Sequence, residues 1–284
     1  MALPALDLLA DRGFALTLAG RPWAKELFAA YPWAVISLPS RRGARIGALR
    51  NLKIGNGLLL TNSFGTALDF RLAGISAVGY ARDARSWLLH RAIEVDTGDH
   101  MVEYYYRLAI ALAGTSPDVP RDLRLRIGEP ARQRAQALLA AHGVAAPYVV
   151  LCPVAVGFHR GKLKAWDGFM RLGSELLAAG MQVIAMPGPN ETAAVRSALP
   201  GATVLPESDV ATFAAVLAGA RLVVANDSGP GHLAAAVGAR LISVFGVTEP
   251  EKTRPWSTRA TLTGSSTGWP AYAEVRSAVD AACA

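Results

Sequence analysis

Between residues 226 and 232 the chain reads Asn-Asp-Ser-Gly-Pro-Gly-His, placing an amide, a carboxylate, a hydroxyl and an imidazole in one short turn. The apolar run at 222–225 before it reads as a buried strand. The small residues after it read as a helix reaching Gly238, and 241–245 as a second strand. Gly229 and Gly231 let backbone approach a ligand closely. A helix that starts directly after a strand is a natural anion site, because its first N–H groups are unpaired and its dipole is positive there. His232 lies in the first turn of that helix. The same residues also fit an ordinary strand–helix turn, with Asn226, Asp227 and Ser228 serving only as helix caps.

Two further loops follow expected strands. Residues 153–166, PVAVGFHRGKLKAW, carry His159, Arg160, Lys162 and Lys164 ahead of a helix. Cations beside a helix start suit a diphosphate, and a solvated basic loop fits equally. Residues 187–191, PGPNE, present Glu191, whose carboxylate either accepts from ribose hydroxyls or favours its own helix N-terminus. No GxxxxGK[ST] and no strand-linked GxGxxG occurs, which argues against a P-loop enzyme or a nicotinamide dehydrogenase. Cys152 and Cys283 lie far apart without metal-ligand spacing, so no metal site is expected, and a reduced, cytoplasmic setting is.

These loops need a framework. A chain of 284 residues, 52% apolar and 18% charged, is globular and long enough for two domains. The net charge of +7 suits an anionic partner. No long Lys/Arg run and no interleaving of basic with aromatic residues appears, which points away from nucleic acid. No segment reaches membrane-spanning length and no signal peptide is evident, so a soluble or peripherally attached protein is expected. The first half reads as helices at 1–12, 22–30, 64–73 and 101–113 alternating with strands at 14–18, 34–38, 57–61 and 75–80. Residues 40–50 read as a basic loop and short helix. After a polar passage at 115–128, the second half has strands at 148–151, 183–186, 203–205, 222–225 and 241–245. Helices are expected there at 131–141, 166–179, 191–199, 210–218, 232–237 and 271–283. Alternation of this kind makes parallel α/β sheets, with domains at 1–128 and 129–284 and a ligand cleft between them.

The turn N-D-S-G-P-G-H-L-A-A-A with G-A-R-L-I-S-V-F-G-V-T-E-P resembles the glycosyltransferase family that contains the ADP-heptose:lipopolysaccharide heptosyltransferases, glycosyltransferase family 9. T-N-S-F-G-T-A-L-D-F-R-L-A-G-I at 61–75, G-Y-A-R-D at 79–83 and D-H-M-V-E-Y-Y at 99–105 are similar to the first domain of its type II enzymes. Lys164-Ala165-Trp166 and the 188–191 loop match further family motifs. The resemblance implies two Rossmann-like domains facing a cleft, the GT-B type, with the donor held mainly by the second. It implies Lys164 on the donor diphosphate and Glu191 on the ribose, with Asp227, Ser228, Gly229 and His232 lining the phosphate and sugar side. Asn62, Arg82, Arg85 and the basic stretch 41–53 would meet an anionic acceptor. The ADP-sugar is then a substrate, and no cofactor or metal is called for.

Family members open with a strand and a Gly-Asp loop before a segment resembling Met1-Ala2-Leu3-Pro4-Ala5-Leu6. The first domain is therefore expected to lack its first strand and the Asp that serves the family as general base. The simplest expectation is that Met1 is an internal methionine. The implied function is inverting transfer of heptose, or a related sugar, from an ADP-sugar to a lipopolysaccharide core or other lipid-linked acceptor. The expected protein is a monomer touching the inner membrane peripherally. The alternatives are a non-catalytic nucleotide-sugar-binding protein and, on the same fold, a sugar-nucleotide epimerase.

Overall fold

The computed structural model describes residues 1–155, 158–159 and 161–283. It divides into two compact units, Met1–Lys25 with Pro32–Pro120, and Glu26–Tyr31 with Arg121–Ala284. Unit 1 carries α1 (Leu3–Asp11), β1 (Thr17–Gly20), α2 (Trp23–Leu27, at its edge), β2 (Ala34–Ser37), α3 (Arg42–Asn51), β3 (Asn56–Leu58), α4 (Phe64–Ala73), β4 (Ser76–Tyr80), a 3-10 turn (Ser86–Leu88), β5 (Arg91–Ile93) and α5 (Met101–Ala113). Unit 2 carries α6 (Glu129–Ala141), β6 (Tyr148–Cys152), a hairpin of β7 (Phe158–His159) and β8 (Lys162–Leu163), α7 (Phe169–Ala178), β9 (Gln182–Ala185), α8 (Thr192–Ala198), β10 (Thr203–Val204), α9 (Val210–Gly219), β11 (Leu222–Asn226), α10 (Gly229–Ala236), β12 (Leu241–Phe245), α11 (Pro250–Thr253), β13 (Ala260–Gly264) and α12 (Tyr272–Cys283).

In unit 2 the strands form one parallel sheet in the order β10-β9-β6-β11-β12-β13. Every residue of β6, β11 and β12 is buried, as strands covered on both faces require. Side chains alternate between the faces. Val149, Leu151, Val224 and Ile242 join Phe169, Leu172 and Val275 on one side, while Val150, Val223 and Leu241 join Ala135, Leu217 and Ala234 on the other. The chain runs outward from β6 to β10 and then returns to β6's other edge as β11. The carboxyl ends of β6 and β11 therefore flank the switch point where open parallel sheets bind ligands.

Unit 1 is built differently. β1 and β2 make a two-stranded parallel sheet, and β3, β4 and β5 a separate three-stranded one. Among the described residues no strand pairs with the second edge of β1 or of β3. Leu49, Phe70, Ile75 and Leu89 fill the core under the three-stranded sheet, and Ala5, Leu8, Leu9, Tyr106 and Ala109 pack α1 on α5.

Several details depart from the sequence reading, and β5, the β7–β8 hairpin and α11 were not expected. Residues 40–50 are mostly one helix, α3, held to α4 through Leu49 and ion pairs described below. β13 was not expected, because Ala-Thr-Leu-Thr-Gly is a half-exposed edge strand without an apolar run. The division between units falls at Pro120, ahead of the expected 128/129. Residues 121–128 bind unit 2 tightly: Leu123 is buried, Leu125 N–H donates to Ala236 O, and Tyr31 OH bonds both Arg124 O and Arg126 N–H, which brings residues 26–31 along.

Asp122 staples the same segment, accepting from Thr258 N (2.6 Å), Thr258 Oγ1 and Ser257 Oγ. The Thr258 N–H hydrogen bond, first among several, holds its carboxyl below the ordinary carboxylate range. That stabilisation is complete above the ordinary carboxylate pKa and is lost as pH falls through the lowered value. Asp122→Asn is expected to destabilise by about 1 kcal/mol at neutral pH. The difference in melting temperature from the parent should close as pH falls through the carboxylate range; a constant difference down to acid would contradict this.

Candidate functional site

Asn226 ends β11 at the switch point and is fully buried. Its Nδ2 donates to Pro153 O (2.8 Å), and its Oδ1 accepts from Trp166 N (3.0 Å). One side-chain amide thereby ties the exit of β6 and the approach to α7 onto the end of β11. The cap position of α10 falls to Ser228, whose hydroxyl donates back to Asn226 O (3.0 Å) and leaves the helix N–H groups to others.

Asp227 comes next, its N–H still donating to Val244 O (3.0 Å), so its carboxylate leaves the sheet from a fixed backbone. The carboxylate is buried and gathers three partners. Lys164 Nζ lies 3.0 Å from Oδ2, Thr248 Oγ1 donates to Oδ2 at 2.6 Å, and His232 Nε2 stands 3.8 Å from Oδ1. Thr248 arrives on the turn after β12, whose Gly246 lies so close under Trp269 that any Cβ there would run into the indole. Trp269 sits on the segment that also fixes Trp166, through Trp166 Nε1 donating to Pro270 O (3.2 Å) and the stack of Trp166 on Tyr272.

Lys164, Asp227 and His232 are thus brought together, with Ser228 and Gly229 beside them at the start of α10. The two glycines of this turn differ. A Cβ at Gly231 would sit 3.4 Å from Asn226 O, whereas one at Gly229 would meet nothing within 4 Å. A Cβ would make ordinary contact at Gly231 and stand in open space at Gly229, so packing leaves Gly229 unexplained by the protein itself. Of the other cations expected in the 153–166 loop, Arg160 and the side chains of His159 and Lys162 lie outside the described residues.

Glu191 is held by its own loop. Its Oε2 accepts from Gly188 N (2.9 Å), with Asn190 between them in the left-handed region at φ 65°. Burial, with the Glu191 charge second, pushes the Cys152 thiol up to about 12, so it is no nucleophile at neutral pH. Groups of acidic residues, His and Cys able to hold a metal ion do not occur among the described residues.

In unit 1 the expected acceptor residues separate. Arg82 is exposed, in the turn after β4. Arg85 is fully buried, its Nε donating to Tyr80 O (3.0 Å), its Nη1 to Thr61 O and its Nη2 to Asn62 Oδ1 (3.1 Å). Direct contact of Arg85 with a ligand is therefore replaced by a supporting place behind Asn62. Asn62 also bonds Tyr104 OH (Nδ2–Oη 2.9 Å), and Tyr104 stacks on Tyr80 with ring centres 3.9 Å apart. Asn226, Thr248 and Tyr104 carry weight that the sequence reading did not assign them. All three lay inside the quoted motifs, and their burial was the missing signal.

Asn226→Ala is expected to strand a buried carbonyl and a buried N–H together, destabilising unit 2 by about 2 kcal/mol or more. It should also loosen both loops, visible as faster hydrogen exchange at 153–155 and 164–166. Unchanged exchange there would contradict the role given to this amide.

The sequence model of "Glycosyltransferase family 9 (heptosyltransferase)" matches residues 44–279. Lipopolysaccharide heptosyltransferase 2 of Escherichia coli (strain K12) is 27% identical over 278 residues, covering 87% of this chain and 78% of that protein. The structure of E. coli ADP-heptose lps heptosyltransferase II superposes with a TM-score of 0.80 at 22% identity, covering 99% of this chain and 93% of that one. An E. coli heptosyltransferase with ADP gives a TM-score of 0.74 at 22% identity, covering 99% and 95%. Those neighbours share its GT-B fold, and a match spanning most of the sequence settles the family: this chain belongs to glycosyltransferase family 9.

Proposed function

We propose that the protein is an inverting glycosyltransferase moving a heptose, or a related sugar, from an ADP-sugar to a lipopolysaccharide core or another lipid-linked acceptor. The observation that carries this is the meeting of Lys164, Asp227, Thr248 and His232 at the N-terminus of α10. Transfer breaks the bond from the anomeric carbon to the diphosphate and forms one to an acceptor hydroxyl, whose proton passes to a base or to water. Charge grows on the departing nucleoside diphosphate. In this reading Lys164 and the α10 N–H groups meet it, and groups fixed in advance lower the barrier most.

Asp227 orients Lys164, and Thr248 orients Asp227. Gly229, whose smallness no protein neighbour requires, leaves room for phosphate oxygens against backbone N–H groups. Glu191 Oε1 accepts no hydrogen bond from the described residues, and it is the oxygen offered to the ribose. On unit 1, Asn62 braced by Arg85, with Arg82 in solvent, serves an anionic acceptor. Such an acceptor sits in a lipid layer, so the protein works at the cytoplasmic face of the inner membrane. No described helix is long and apolar enough to cross one.

Gly229→Ala is expected to keep the parent's melting temperature yet weaken ADP binding tenfold or more, measured by calorimetry; loss of stability with unchanged ADP affinity would return Gly229 to packing. Lys164→Ala is expected to lower turnover of an ADP-sugar by about 10²–10³ in a transfer assay with a solubilised lipid-linked acceptor. ADP binding without product from the parent chain would favour the nucleotide-sugar-binding alternative. Donor altered without acceptor would favour the epimerase.

A further inference from the structure

α4 buries Ala67 and Phe70 toward unit 1 and turns another face outward. On that outer side lie Phe64, 39% exposed, and Leu72, 45% exposed, with Leu68 between them at i+4, half-buried against the same core. Trp87, 71% exposed on the neighbouring 3-10 turn, extends the stripe, its ring centre 6.1 Å from that of Phe64. At 1.5 Å per residue the helix part alone is about 12 Å long. Single exposed apolar residues need no explanation, but a contiguous row with an exposed indole does.

The row is bordered by cations held in place. Asp69 is buried and accepts Arg42 Nε (3.1 Å) and Arg45 Nε (2.6 Å), so one carboxylate fixes two guanidinium groups and leaves a surplus positive charge. Arg42 reaches over Gly65 at one end of the row, since a Cβ there would lie 3.1 Å from its Nη2. Arg50 caps the other end, donating through Nε (3.2 Å) and Nη2 (2.7 Å) to Leu72 O. Arg71 is exposed alongside.

Resting on the lipid-linked acceptor proposed above, we infer that the face formed by Phe64, Leu68, Leu72 and Trp87 with its arginine border docks reversibly on an anionic phospholipid bilayer. Apolar side chains and an indole enter the headgroup region while arginines remain at its charged surface, their stems adding apolar contact. A second copy is the poorer occupant, because a two-fold contact through this face sets arginine border against arginine border. Two exposed apolar side chains, the outer edge of Leu68 and one indole give weak attachment, which suits an enzyme that must leave one acceptor for the next.

The test is flotation of the full chain with vesicles of phosphatidylethanolamine and phosphatidylglycerol, beside vesicles of phosphatidylcholine alone. Binding is expected to the anionic vesicles and to be lost on the neutral ones. Leu72→Ser with Trp87→Ser, and separately Arg71→Gln with Arg50→Gln, should each weaken it about tenfold or more at unchanged ADP affinity. Because Arg50 caps α4, Arg71→Gln alone is a second charge variant, expected to act in the same direction. Equal binding to neutral vesicles, unchanged binding by the apolar variant, or a dimer in solution lost on Leu72→Ser with Trp87→Ser would overturn the inference. Failure to bind vesicles alongside transfer to solubilised acceptor would sink this inference alone. Vesicle binding without ADP binding would sink the proposed function instead.

Discussion

The amide of Asn226 is the small constraint on which the geometry around Lys164 and Asp227 depends. A parallel sheet delivers several loops to one edge but does not fix them to one another. Here a single buried side chain satisfies the carbonyl of Pro153 and the N–H of Trp166 at once, so the loops after β6 and β11 move as one body. Lys164 lies two residues from that tie. Its distance to Asp227 is therefore set by the interior of unit 2 as well as by attraction to a carboxylate that is itself buried.

A second brace comes from the far side of the sheet. The turn carrying Thr248 is pressed against Trp269, and the backbone beside Trp269 accepts from the indole of Trp166. Trp166 is thus held through both its backbone N–H and its ring N–H. The tie to β11 and the tie to the C-terminal segment meet in one residue. The site's charges are arranged by apolar packing and two indoles.

Much of this was legible in the residues. Buried strands of unit 2 announce themselves as unbroken apolar runs, since a strand covered on both faces has no polar alternation to confuse it. The strand-to-helix turn at 226–232 was visible for the same reason, as small and polar residues between two such runs. β13 escaped because an edge strand needs no apolar run. Asn226 was read as a helix cap because its partners, Pro153 and Trp166, are more than fifty residues away in the chain. Arg85 looked like a ligand contact because an arginine in a loop is usually in water. Its burial rests on two backbone carbonyls and one amide, partners that no local pattern exposes.

The divided sheet of unit 1 bears on how the chain holds together over time. A continuous six-stranded sheet opens only as a whole, whereas β1–β2 and β3–β4–β5 share no ladder that would make them open together. The unit's cohesion then falls to α1 against α5 and to the stack of Tyr80 on Tyr104. Backbone amides along the open edges of β1 and β3 become the earliest to exchange with solvent and the readiest template for a stray strand from another chain. Unit 1 is accordingly the part of the chain whose shape can breathe, and unit 2, with its single six-stranded sheet, the part that is locked.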